Sequence, residues 1–104
     1  MDLRRDVFQG IADPTRREIL KIIAPEAMAS GEIALHFDSA RQTISRHLKI
    51  LLECGLLDQK RQGREILYSL NPGKVREIAD FIQPLRQYWD DRANTLEELM
   101  KYYD

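Results

Sequence analysis

The 104-residue sequence predicts a mainly α fold with one small β-hairpin. Three observations carry that expectation. Apolar residues recur at helical spacing along most of the chain, and Ile44, Leu48, Leu51 and Leu52 form the tightest stripe. Between residues 56 and 70 the pattern turns to strands around a Gln62-Gly63 turn, with Ile66, Tyr68 and Leu70 alternating. From Val75 onward a long helical repeat resumes. Helix, helix and hairpin in that order make a winged helix-turn-helix, here one domain over residues 1–104, with the N- and C-terminal helices expected to form a dimer interface.

Taken in order, Leu3, Val7, Phe8 and Ile11 predict a first amphipathic helix over Asp2 to Ala12. Asp13 is a strong N-cap and Pro14 suits a first helical position, so Asp13-Pro14-Thr15 opens a second helix. That helix buries Ile19, Leu20 and Ile23 and ends near Ala24-Pro25, with residues 25–29 as a connector. Ser30 caps a third helix reaching Phe37, with Glu32 in its first turn and Ile33, Ala34 and Phe37 inward. Only Asp38, Ser39 and Ala40 precede the next helix, so residues 30–54 read as the helix-turn-helix. Ser39 with Gln42 matches a capping box, which starts this helix at about Ala40, and Gly55 supplies its left-handed stop. The wing hairpin occupies residues 56–70.

Asn71-Pro72 opens the last helix, expected over residues 72–104 as the dimerisation element. Val75, Ile78, Ile82, Leu85, Trp89, Leu96, Leu99 and Tyr103 fall on alternating steps of 3 and 4, interrupted at Arg92. Pro84 removes one backbone donor inside this pattern and predicts a kink near Asp80 or a division at Gln83; the unbroken apolar phase favours the kink. A seam of this length exceeds what a core this small can cover, so it is expected to pair with a second copy, helped by Leu3 and Val7 of the first helix.

The composition is 43% hydrophobic with a net charge of −1, which excludes a generally basic coat. Distribution is more informative. Residues 39–64 hold 6 Lys/Arg against 2 Asp/Glu (+4), while residues 1–38 hold 5 against 7 (−2) and residues 75–104 hold 4 against 7 (−3). The positive segment contains the polar face of the fourth helix, where Arg41, Gln42, Ser45, Arg46 and Lys49 present groups that bond base edges and phosphates. Double-stranded DNA is the expected partner. No nucleophile, base and phosphate loop converge, so no enzyme and no cofactor are expected. One cysteine excludes an intrachain disulfide, and the lack of a long apolar run predicts a cytoplasmic protein without membrane insertion.

Three segments together resemble the ArsR/SmtB family of winged-helix repressors: ADPTRREIL at 12–20, ISRHLKILLECGLL at 44–57 and KRQGREILYSL at 60–70. The resemblance implies a homodimer that blocks promoters, with recognition positions falling on Gln42, Thr43, Ser45, Arg46 and Lys49 and wing contacts on Lys60, Arg61 and Arg64. Many members sense metals through cysteine pairs near the third helix or acidic and histidine ligands on the last. This sequence departs from that pattern: residues 26–37 lack Cys, and residues 71–104 lack both Cys and His. Cys54, His36 and His47 do not make a three- or four-ligand soft site within one subunit, so no metal is expected and the chain resembles the metal-free, sporulation-delay-type autorepressors. The inducer, a protein or a small molecule, is not specified.

His47 has two readings, a phosphate contact or a residue packed behind the recognition helix on a backbone carbonyl. A catalytic pairing with Cys54 is excluded, because seven helical residues separate them by about 10 Å. Cys54 near a helix C-terminus lies at the negative end of the dipole, which disfavours thiolate and suits a buried small residue over a redox sensor. Two alternatives stay open, a winged-helix protein-interaction module that does not read DNA and a metal- or redox-responsive sensor of the same family.

Overall fold

The structure is a computed structural model and describes residues 5–102. Their elements run α1 (Val7–Gly10), α2 (Pro14–Ile23), β1 (Met28–Ala29), α3 (Ser30–Ala34), α4 (Arg41–Glu53), β2 (Leu57–Gln62), β3 (Glu65–Leu70) and α5 (Pro72–Tyr102). Strand β3 lies between β1 and β2, antiparallel to both. Helices α3 and α4 with this small sheet form a winged helix-turn-helix.

Apolar spacing decides what meets in the centre. Ile19 and Ile23 of α2, Ile33 of α3, and Ile44, Leu48 and Leu51 of α4 are all closed to solvent, together with Leu56 at the start of the wing. Val7 joins them, so its surface is already spent inside its own chain. Each such side chain contributes about 1.5–3 kcal/mol on burial. Helix α4 ends in a Schellman motif: Leu56 N–H bonds Leu51 C=O at 3.1 Å and Gly55 N–H bonds Leu52 C=O at 3.0 Å. Gly55 has φ +79°, a conformation that costs a residue with a Cβ.

Several expected boundaries shift. Among the described residues the first helix is a single turn. Asp6 caps it, accepting from Gln9 N–H while the Gln9 side chain accepts from Asp6 N–H, which fixes the helix start at Val7. Leu3 and Tyr103 lie outside the described residues. Residues 28–29 of the expected connector form β1, paired Met28 to Tyr68 and Ala29 to Leu67, so the wing belongs to a three-stranded sheet. The chain passes directly from this strand into α3, making extended Ala29 the cap in place of Ser30. Helix α3 also stops at Ala34, with His36 and Phe37 continuing in turns bonded to Ile33 and Ala34. At α4 the cap is Ala40, one residue past Ser39, so the expected Ser39–Gln42 box does not form and no side chain caps the helix.

The hairpin turn is Gly63-Arg64, because Gln62 pairs with Glu65. A two-residue turn of this kind wants φ > 0 at its first position, and Gly63 has φ +65°. Asn71 opens α5 by accepting from Lys74 N–H at 3.0 Å and anchors it by donating from its own N–H to Leu56 C=O at 2.9 Å. Helix α5 then runs without division through Pro84. Val75 and Ile78 pack on the core, Phe81 meets Phe8 of α1 edge-on at 5.0 Å, and from Ala79 to Lys101 every residue is exposed. At 31 residues the helix is about 46 Å long, which accounts for the 66 × 35 × 22 Å shape.

Helix α2 begins as expected at Pro14, with Asp13 Oδ2 accepting from Arg16 N–H at 3.1 Å. Burial pushes the Asp13 carboxyl up, but the Arg16 and Thr15 N–H groups, the His47 ring when it is protonated and the Arg16 guanidinium outweigh it and hold the group below its ordinary value. A folded-state value below the unfolded one means that the ionised cap stabilises above about pH 4 and that this contribution is lost as pH falls through the lowered value. Asp13→Ala should therefore cost about 1 kcal/mol near neutrality in chemical denaturation, a gap that narrows in acid. Gly55→Ala should cost about 1 kcal/mol at all pH values through its left-handed backbone, lowering the urea midpoint at unchanged slope.

Candidate nucleic-acid interface

Burial of Ile44, Leu48 and Leu51 dictates which side of α4 faces outward. Arg41, Gln42, Thr43, Ser45, Arg46 and Lys49 are all exposed, and so are Lys60, Arg61 and Arg64 on the hairpin. No ion pair among the described residues engages Arg41, Arg46, Lys49, Lys60, Arg61 or Arg64. The site residues read from the sequence thus lie on two neighbouring elements, and none of their charges pairs directly with a described acidic residue. The β3 strand brings the two together through its pairing with β1, which leads straight into α3.

The arrangement is less uniformly basic than the chain order suggests. A cleft of about 510 Å³ between α3, the start of α4 and the wing is lined by Arg41 and Arg64 but also by Glu32 and Glu65. Arg41 folds back over α3, since a Cβ built on Gly31 would stand 3.0 Å from its Nη2. It therefore sits at the edge of the face that Gln42, Ser45, Arg46 and Lys49 present.

His47 follows neither expected reading in full. Its side chain is only 16% exposed and packs behind α4, but its partners are side chains of α2, not a backbone carbonyl. Its Nδ1 lies 3.4 Å from Arg16 Nη1 and 3.9 Å from Asp13 Oδ2. Arg16 also donates from Nε to Gly10 C=O at 2.8 Å and from Nη2 to Gln9 C=O at 3.0 Å, joining α1, α2 and α4 at one guanidinium. Sequence reasoning assigned Arg16 no role beyond the family motif. The signal was its spacing from Asp13, which fixes it in the first turn of α2, yet its reach to α1 and α4 needs the tertiary packing.

Cys54 is buried, and burial pushes its thiol up despite the nearby charges of Arg5 and Arg16. Desolvation is the leading cause, and the C-terminal end of the helix dipole likewise disfavours thiolate. Among the described residues no group of three His, Cys, Asp or Glu side chains converges as metal ligands, and no helix is long and apolar enough to cross a membrane.

The seam residues divide into two sets. Val75 and Ile78 touch their own core, whereas Ile82, Leu85, Trp89, Leu96 and Leu99 stay exposed, Trp89 at 70%. Phe81 and Tyr88 widen this stripe beyond the positions read from the 3-4 spacing. Arg92, which interrupts the seam, turns toward Tyr88, donating to its hydroxyl at 2.8 Å and lying 5.6 Å from its ring centroid.

A family profile described as a helix-turn-helix domain matches residues 11–60. The chain is 44% identical over 77 residues to the transcriptional repressor SdpR of Bacillus subtilis (strain 168), covering 74% of this chain and 86% of that protein. It is 31% identical over 90 residues to the probable mercury resistance operon repressor of Streptomyces lividans, covering 86% of this chain and 70% of that one. Among solved structures it is similar to an ArsR-like transcriptional regulator from Rhodococcus sp. RHA1, with a TM-score of 0.67, 29% identity and coverage of 89% and 88% of the two chains. These relatives are transcriptional regulators and repressors built on a helix-turn-helix, and by this likeness the chain belongs to the ArsR/SmtB family of winged-helix transcriptional repressors.

Proposed function

We propose that this chain is a homodimeric transcriptional repressor that reads an inverted-repeat operator through α4 and grips its backbone with the β2–β3 wing, without responding to metal. The observation that carries the reading is the two-sidedness of α4: one face is locked into the core while Gln42, Thr43, Ser45, Arg46 and Lys49 face outward. Lys60, Arg61 and Arg64 supply the phosphate or minor-groove contacts. The likeness to SdpR supports repression as the outcome. The mercury-resistance relative gives the competing metal-responsive reading, against which stand the single, buried Cys54 and the engagement of His47 with α2.

Dimerisation is supported by the apolar stripe of α5, which leaves Leu85 57% and Trp89 70% exposed on a helix projecting from its own core. A stripe of this extent on an isolated chain favours association. Light scattering at tens of micromolar should give twice the mass of one chain, and Leu85→Asp should return it to one by placing a charge in the seam. A wild-type chain of single mass at that concentration contradicts the proposal.

Arg46 is the proposed base reader and Arg64 the proposed backbone contact. Arg46→Ala should cost about 1–3 kcal/mol on an operator selected from random duplexes and much less on unrelated DNA. Arg64→Ala should weaken both alike and reduce the salt dependence by about one unit. Both are measured by titration across a salt series. If neither substitution mattered, the interaction-module reading would replace this one.

A further inference from the structure

We propose that His47 is a positioning residue for sequence reading: its neutral ring accepts a hydrogen bond from Arg16 and thereby sets the orientation of α4 against α1 and α2. The inference rests on the DNA-reading role of α4 proposed above and deepens it. It comes from the chemistry of a single contact. A guanidinium carries only donors, so the Nδ1 that stands 3.4 Å from Arg16 Nη1 must be the acceptor, and the ring proton then sits on Nε2. Arg16 is itself immobilised, because its Nε and Nη2 are committed to the Gly10 and Gln9 carbonyls that end α1. Asp13, whose Oδ2 accepts from Arg16 N–H, stands 3.9 Å from the same Nδ1, beyond hydrogen-bond distance, so Arg16 is the nearer partner of that nitrogen.

The placement makes this junction matter for reading more than for folding. Ile44, Leu48 and Leu51 hold α4 on the core through a non-directional apolar stripe, which tolerates small rotations of the helix about its axis. His47 stands one residue from Arg46 and two from Ser45, so a rotation there displaces the base-facing groups. A directional bond to an anchored guanidinium removes that freedom. Small misalignment costs base contacts first, because bidentate pairing is geometrically strict while phosphate contacts are not.

Ring-nitrogen NMR and DNA titration together test it. In the wild-type chain at neutral pH, the His47 ring should carry its proton on Nε2 with Nδ1 accepting a hydrogen bond, and Arg16→Leu, which removes the donor, should move the Nδ1 resonance to that of an unbonded ring nitrogen. His47→Leu keeps the volume but removes the acceptor; it should lower affinity for an operator selected from random duplexes about tenfold while leaving affinity for unrelated duplex unchanged, the scale of one hydrogen bond. His47→Asn places an amide oxygen near the Nδ1 position and should restore operator affinity to within about threefold. Thermal melting of each variant confirms that the folded chain is being compared. A proton on Nδ1, an unimpaired His47→Leu, an unrestored His47→Asn, or equal losses on operator and unrelated DNA would each overturn the proposal, the last by making His47 a phosphate contact. A wild-type chain that selects no duplex at all overturns the DNA-reading conclusion itself, and an Nδ1 resonance that still responds to Arg16→Leu in that same protein places the failure there and not in the junction.

Discussion

Everything that the proposed interface does depends on the burial of one face of α4. Ile44, Leu48 and Leu51 lie against Ile19, Ile23 and Ile33 in a core of short helices, and this contact sets the depth of the helix and which of its faces turns outward. The C-terminal end is fixed as well, since the Schellman bonds at Gly55 direct the chain into Leu56, which is fully buried, and onward into β2. The outward face of α4 and the wing therefore inherit their relative placement from one continuous stretch of chain. Polar residues outside this stretch refine the placement: Asn71 ties the start of α5 to Leu56, and Arg16 ties α1 to α4.

The smallness of that core has a second consequence. Helices α1 and α3 span 4 and 5 residues, too short to be stable except through packing. Most of α5, in contrast, packs on no other element among the described residues. A chain that keeps Trp89 and Leu85 in water forgoes burial that would stabilise it, and a second copy is the proposed means of recovering it. Phe8 on Phe81 shows the surface continuing from α5 onto α1, so the two terminal helices offer one connected apolar face.

The elements whose signal lies in periodicity were legible from the sequence, because burial enforces periodicity. The α2 stripe, the α4 stripe, the Asp13 cap and the Gly55 stop all sit where spacing and side-chain chemistry put them. What was not legible depended on partners distant in the chain. Strand β1 has 2 residues and no pattern of its own; it exists because Tyr68 and Leu67 of β3 offer it backbone partners. That pairing in turn displaced the cap from Ser30 to Ala29. Ser39 and Gln42 carried the right residues for a capping box, but the helix began one residue later, and residue type alone does not set that register. Within the candidate site, the exposed basic residues were read correctly as outward-facing, whereas the Arg16–His47 contact spans 31 residues and emerged only from the packing.

Two copies of one outward-facing helix are proposed to read DNA together, and hydroxyl-radical footprinting of a selected operator is the direct test. Two protected half-sites of inverted sequence should appear on one face of the duplex, with centres about 10–11 base pairs apart or a multiple of that. A single asymmetric footprint, or protection without any repeated sequence, would contradict it.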